Sequence, residues 1–93
     1  MARIYQTATL GEAQIRIAMV SRGVADLLVH RVSSRGLAHG DARWYITRDR
    51  HDATVLIATC SQGMADVCVC FVDSYGEAGW VRDHRLRGRF DRF

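Results

Sequence analysis

The sequence predicts an all-β or mainly β domain, and three features carry that prediction. Short runs of β-branched and aromatic residues recur, a Gly-containing punctuation separates them every 12 to 15 residues, and no interval is long enough for a useful helix. The runs are RIYQT, QIRIAMV, LLVHRV, RWYIT, TVLIATC and VCVCFV. In QIRIAMV, Ile15, Ile17 and Met19 fall on one face and Arg16, Ala18 and Val20 on the other, the two-residue period of a pleated strand.

The punctuation has the form Ser or Thr, any residue, Gly, any residue, Ala. Its copies are TLGEA from Thr9, SRGVA from Ser21, SRGLA from Ser34, SQGMA from Ser61 and SYGEA from Ser74, with a degraded DRHDA from Asp49. The motif glycines Gly11, Gly23, Gly36, Gly63 and Gly76 are expected to shape turns by adopting positive φ. Asp26 and Asp66, each directly after a motif Ala, are expected to lock those turns by bonding nearby backbone amides.

The uneven motif spacing conceals a longer period. Setting residues 2–39 against 42–79 gives sixteen identities in 38 ungapped positions, including Tyr5/Tyr45, Ile17/Ile57, Asp26/Asp66 and Val29/Val69. The chain therefore reads as one domain, 1–93, made of a tandem duplication, about 2–41 and about 42–81, followed by an Arg-rich segment, 82–93. Where the first repeat has Arg16, His30 and Arg31, the second has Leu56, Cys70 and Phe71. The second-repeat strands are thus expected to be central and the first-repeat strands peripheral.

All 13 basic residues are Arg. Residues 1–81 balance eight Arg against eight acids, so the net charge of +3 resides in the last twelve residues. There Arg82, Arg85, Arg87, Arg89 and Arg92 alternate with Leu86, Phe90 and Phe93, a pattern able to contact phosphates and stack on bases. The reading favoured is that Leu86 and Phe90 dock on the core with the guanidinium groups solvated or paired with surface acids; the alternative is nucleic acid or another polyanion as a partner.

Cys60, Cys68 and Cys70 stand opposite Val20, Leu28 and His30 of the first repeat, which reads as small buried hydrophobes. A C-x7-C-x-C spacing lacks the paired ligands of a zinc site, and no spacing singles out a nucleophile with its base, even for Cys70 with His30 or His84. Neither catalytic residues, a cofactor nor a metal is expected, and the protein is read as non-enzymatic. With no signal-like or membrane-length apolar run, a cytoplasmic location is expected. A monomer is expected, with strand-edge pairing into a homodimer as the alternative.

The pattern A-D-x-x-V-x-x-V-x-S-x-G-x-A begins at Ala25 and again at Ala65, and the second copy runs on through EAGW into HRLRGRF. Over Arg3 to Phe90 this resembles the small bacterial proteins of unknown function that have a septoil, or seven-crossing, knot. The resemblance implies a compact β monomer with a deeply knotted backbone, and carries no catalytic or ligand-binding residues. A knotted module of this kind is expected to resist unfolding and proteolysis.

Overall fold

The computed structural model describes residues 2–91. Among them are seven strands: β1 (Ala2–Gln6), β2 (Ile15–Met19), β3 (Leu27–Arg31), β4 (Arg43–Ile46), β5 (Val55–Thr59), β6 (Val67–Phe71) and the short β7 (Gly79–Trp80). The first six coincide with the β-branched and aromatic runs. They pair in the order β4-β1-β5-β2-β6-β3, and β3 pairs back onto β4, so six parallel strands close into a barrel. β7 lies antiparallel on β3, opposite Leu27 and Leu28.

The expected division into central and peripheral strands is not observed. Every first-repeat strand sits between two second-repeat strands, β1 between β4 and β5, β2 between β5 and β6, β3 between β6 and β4. A closed barrel has no periphery. Leu56, which made β5 look apolar on both faces, is only half-buried and faces outward, beneath the turn at Leu10–Glu12 that packs on β5.

Parallel neighbours need crossovers, which ordinarily carry a helix and run a dozen residues or more. Here β1 and β2 are joined by residues 7–14 only. The register explains the economy. β1 leaves the barrel with Gln6 beside Ile57 of β5, and β2 begins with Ile15 beside that same Ile57 on the other flank. The chain has only to hop across one strand, not to travel back along it. The same device recurs: β2 leaves and β3 begins at Val69, β4 leaves and β5 begins at Ile4, β5 leaves and β6 begins at Ile17.

Each hop lands on a two-armed clasp formed by the residue just before the new strand. Gln14 donates its N–H to the Leu56 carbonyl and accepts the Leu56 N–H on its side-chain oxygen. Asp26 treats Cys68 in the same way, Thr54 treats Arg3, and Asp66 treats Arg16, with side-chain bonds of 2.9–3.0 Å. Asp26 and Asp66 are thus locks between strands, 42 and 50 residues apart in sequence from their partners, and not the local turn locks expected. A carboxylate can stand in for a strand carbonyl as readily as it can cap a turn, and sequence pattern does not separate the two uses.

The motif turns are single 3-10 turns at Leu10–Glu12, Arg35–Leu37, Gln62–Met64 and Tyr75–Glu77, with a related turn at residues 22–24; the degraded copy forms Arg50–Asp52. The carbonyl of the motif Ser or Thr accepts the N–H three residues on, as in Met64 to Ser61 at 3.0 Å. Positive φ among the described residues belongs to Gly40, Gly79 and Gly88 and to none of the five motif glycines, which corrects the reason given for them. A 3-10 turn uses ordinary negative φ.

Alternate residues fill the interior: Ala2 and Ile4, Ile15 and Ile17, Leu27 and Val29, Trp44, Val55 and Ile57, Val67 and Val69. Full burial of each Ile, Leu or Val contributes about 1.5–3 kcal/mol. Trp44 faces Ala2 at the start of β1 and Arg31 at the end of β3, which shows how steeply the register climbs around the barrel.

An added Cβ at Gly63 meets nothing within 4 Å, whereas Gly40 has φ +65. Gly63→Ala is therefore expected to raise stability by about 0.4–1 kcal/mol through the unfolded chain, and Gly40→Ala to lower it by about 1–2 kcal/mol. Urea midpoints at unchanged m-value measure both.

The C-terminal clasp as candidate functional site

The Arg-rich segment crosses the base of the barrel, where the strands begin. Phe90 is fully buried and Leu86 nearly so, both within the core cluster. Phe90 lies 5.1 Å from Trp44 and 6.2 Å from Trp80, ring centroid to centroid, and Trp80 stacks on His84 at 5.2 Å. The base is closed by this aromatic row.

Asp41, just ahead of β4, holds the row in place. Its carboxylate accepts the Trp80 indole N–H at 2.8 Å and the backbone N–H groups of Gly88, Phe90 and Asp91 at 2.5, 3.2 and 3.2 Å. Its own carbonyl accepts the Trp44 indole N–H at 2.6 Å. The Phe90 carbonyl accepts the Thr54 hydroxyl at 2.8 Å, so a clasp residue of β5 also grips the tail. Gly88, with φ +89, supplies the bend that points its own amide and those of Phe90 and Asp91 toward one carboxylate, while the Arg89 N–H goes to the Leu86 carbonyl.

The sequence-predicted arginines take several positions. Arg82 is 3.5 Å from Asp26, Arg85 is 3.4 Å from Asp66, and Arg87 is 3.6 Å from Asp83. Arg89 is exposed next to Phe90, and Arg92 lies outside the described residues. Two tail arginines thus face the carboxylates that clasp β3 and β6. His84 completes the group, its Nε2 4.0 Å from Asp26 while its Nδ1 accepts the Leu86 N–H at 3.1 Å. Asp41, the hub of the site, was not among the residues singled out from sequence; it falls at the join of the two repeats, outside the aligned stretches 2–39 and 42–79.

The cysteines are free but only half-buried, contrary to the core reading. Val67 and Val69 point inward, so Cys68 and Cys70 occupy the outer face of β6. Burial, then the neighbouring Asp26 charge, pushes the Cys68 thiol up, with Arg82 opposing. Cys70 and His30 form no pair: the thiol donates to the Phe71 carbonyl at 3.5 Å and the imidazole Nδ1 meets the Val72 carbonyl at 3.2 Å. Among the described residues no cluster of three or more His, Cys, Asp or Glu is placed to hold a metal, and no helix is long and apolar enough to cross a membrane.

A family model described as the 7(1) septoil knot domain matches residues 1–81. The chain belongs to that family. Comparisons with curated proteins and with solved structures find no match. The septoil knot match stops at Val81, short of the Phe90 limit expected from the closing His84–Arg89 pattern. It therefore includes the barrel, all four strand clasps and Asp41, while the segment that Asp41 holds lies beyond it.

Removing the clasp has a predictable cost. Asp41→Ala strands the Trp80 indole and three backbone amides, and is expected to lose about 2–4 kcal/mol; Phe90→Ala is expected to lose about 3–5 kcal/mol by leaving a cavity under Trp44. Chemical denaturation of the two variants checks both figures.

The Asp66 carboxyl provides a pH test. Burial alone would raise its pKa, but the Arg16 N–H, the Arg16 guanidinium and the Arg85 charge together hold it below the ordinary 3.8. Since the folded-state value is the lower one, this carboxylate stabilises the fold above about pH 4, and the contribution disappears as pH falls through the folded-state value. Urea midpoints measured from pH 6 down to pH 2 are expected to fall less steeply for Asp66→Asn than for the parent.

Proposed function

We propose that the protein is a non-enzymatic, knotted β module whose useful property is resistance to mechanical unfolding and proteolysis. The observation that carries this reading is the threading of the strands: four connections each hop over a strand of the other repeat and are clasped to it on landing. A path of this kind, from two tandem windings of about forty residues, supports a backbone that passes repeatedly around itself, as the family's description would have it. Pulling either end then drags an arch against a strand held on both sides by backbone hydrogen bonds, and a knot tightens instead of slipping free.

Closure of the sheet supports the same reading, because no long strand edge is left for another chain to pair with, and a monomer is the state such a barrel favours. Three free thiols suit a reducing compartment such as the cytoplasm, where ATP-driven unfoldases operate. Polyanion binding through the tail is the weaker reading, since Arg82 and Arg85 already face Asp26 and Asp66 and the apolar residues between them are packed inward.

The test is degradation of a C-terminally tagged copy by an ATP-driven protease, beside an unknotted β domain of equal global stability. The expected result is stalling or strongly slowed digestion with high ATP consumption per molecule destroyed. Equal rates for the two substrates would remove the proposal.

A further inference from the structure

Once the tail arginines are assigned to their carboxylates, the uncommitted cations of the described residues lie elsewhere. Arg31 and Arg48 are exposed and make neither an ion pair nor a side-chain hydrogen bond. Arg43 is half-buried and pairs with no carboxylate; its guanidinium lies 3.7 Å above the centre of the Tyr75 ring. At the seam between β3 and β4, Arg31 ends β3 beside Trp44, Arg43 opens β4 beside His30, and Arg48 follows two residues after β4.

The seam carries aromatic surface as well as charge. Trp44 points into the barrel, so Arg43 and Tyr45 on either side of it point out. Tyr75 is 46% exposed and packs edge-on against His30 at 5.7 Å. A hollow of about 330 Å³, lined by Arg31, Val32, Ser33, Tyr45 and Ile46, opens beside this row. Three nearby acids are engaged: Asp52 pairs with Arg3 and Arg35, Asp49 accepts the His51 N–H, and Asp41 holds the tail. Asp73 follows β6 toward Arg31, yet no ion pair joins them.

We infer that this seam is a binding site for single-stranded nucleic acid. Unpaired guanidinium groups are a standing attraction for phosphate oxygens, and planar forks suit phosphate geometry. Tyr45, beside Arg31, and the face of Tyr75 that Arg43 leaves open offer ring surface to bases, and stacking on such surface is tolerant of sequence. The hollow receives one nucleotide, with Arg31 and the Ser33 hydroxyl toward its phosphate and Tyr45 toward its base. A duplex is disfavoured, because its bases are already stacked and the seam is only two strands wide. The site is independent of the mechanical reading and uses none of the tail.

The probe is a fluorescently labelled single-stranded DNA of mixed sequence, titrated with the full chain and followed by anisotropy at two salt concentrations. Three phosphate contacts predict a log–log salt slope of about −2 for a single strand. The double variant Arg31→Glu/Arg48→Glu, at exposed positions, is expected to bind at least about tenfold more weakly, while Arg85→Ala/Arg87→Ala changes affinity by less than about twofold. Tyr45→Ser is expected to weaken the oligonucleotide and leave binding of inorganic polyphosphate unchanged. Absence of binding at low salt, retention of full affinity by the Arg31/Arg48 variant, or an equal loss of oligonucleotide and polyphosphate affinity in Tyr45→Ser would overturn the assignment.

Discussion

The fold rests on a backbone pairing completed by a side chain. At Gln14, Asp26, Thr54 and Asp66 the residue before a strand offers an N–H and a side-chain oxygen to one residue of the strand just crossed. Without the side-chain arm, the N–H of Leu56, Cys68, Arg3 or Arg16 would lose its acceptor at the point where the arch leaves no carbonyl in reach, and an unmade bond at a covered site is more costly than a made one is favourable. The side chain also fixes register. A slip by one residue would turn every inward Ile and Val toward solvent, so the clasp and the hydrophobic alternation specify the same arrangement.

Given that register, short arches become sufficient and helices unnecessary. Because at each of the four hops the new strand resumes beside the residue at which its predecessor left, seven or eight residues span the hop, and a single turn is enough to carry the chain over a neighbour. The small motif Ala closes that turn, its N–H bonded to the residue three back at 3.2–3.4 Å in the copies at Ala13, Ala25, Ala38, Ala53 and Ala65. The arches lie on the strands they cross, the Leu10–Glu12 turn on β5 and the Gln62–Met64 turn on β2. Cys68 and Cys70 belong to the outer face of β6, half-buried.

The base of the barrel is stabilised by a different logic. A single carboxylate, Asp41, gathers an indole and three backbone amides and so positions Phe90 against Trp44. Charge in the tail is spent on anchoring: Arg82 and Arg85 meet the acids that clasp β3 and β6. The exposed arginines without an ion pair, Arg31 and Arg48, are a set apart from those that anchor the tail.

Composition, period and punctuation by themselves determined the β class, the six main strands and the recurrence of turns, because alternation and turn chemistry are local and are written in adjacent residues. The resemblance carried by Ala25–Ala38 and Ala65–Ala78 fixed the family. Only the tertiary structure decided that the strands interleave, that Asp26 and Asp66 reach across the barrel instead of along the turn, that the motif glycines need no positive φ, and that Asp41 is the hub of the base. The reach of Asp26, Asp66 and Asp41 depends on partners 39 to 50 residues away, brought together by the register of a closed sheet, and no local pattern records which of two chemically equal amides a carboxylate will find.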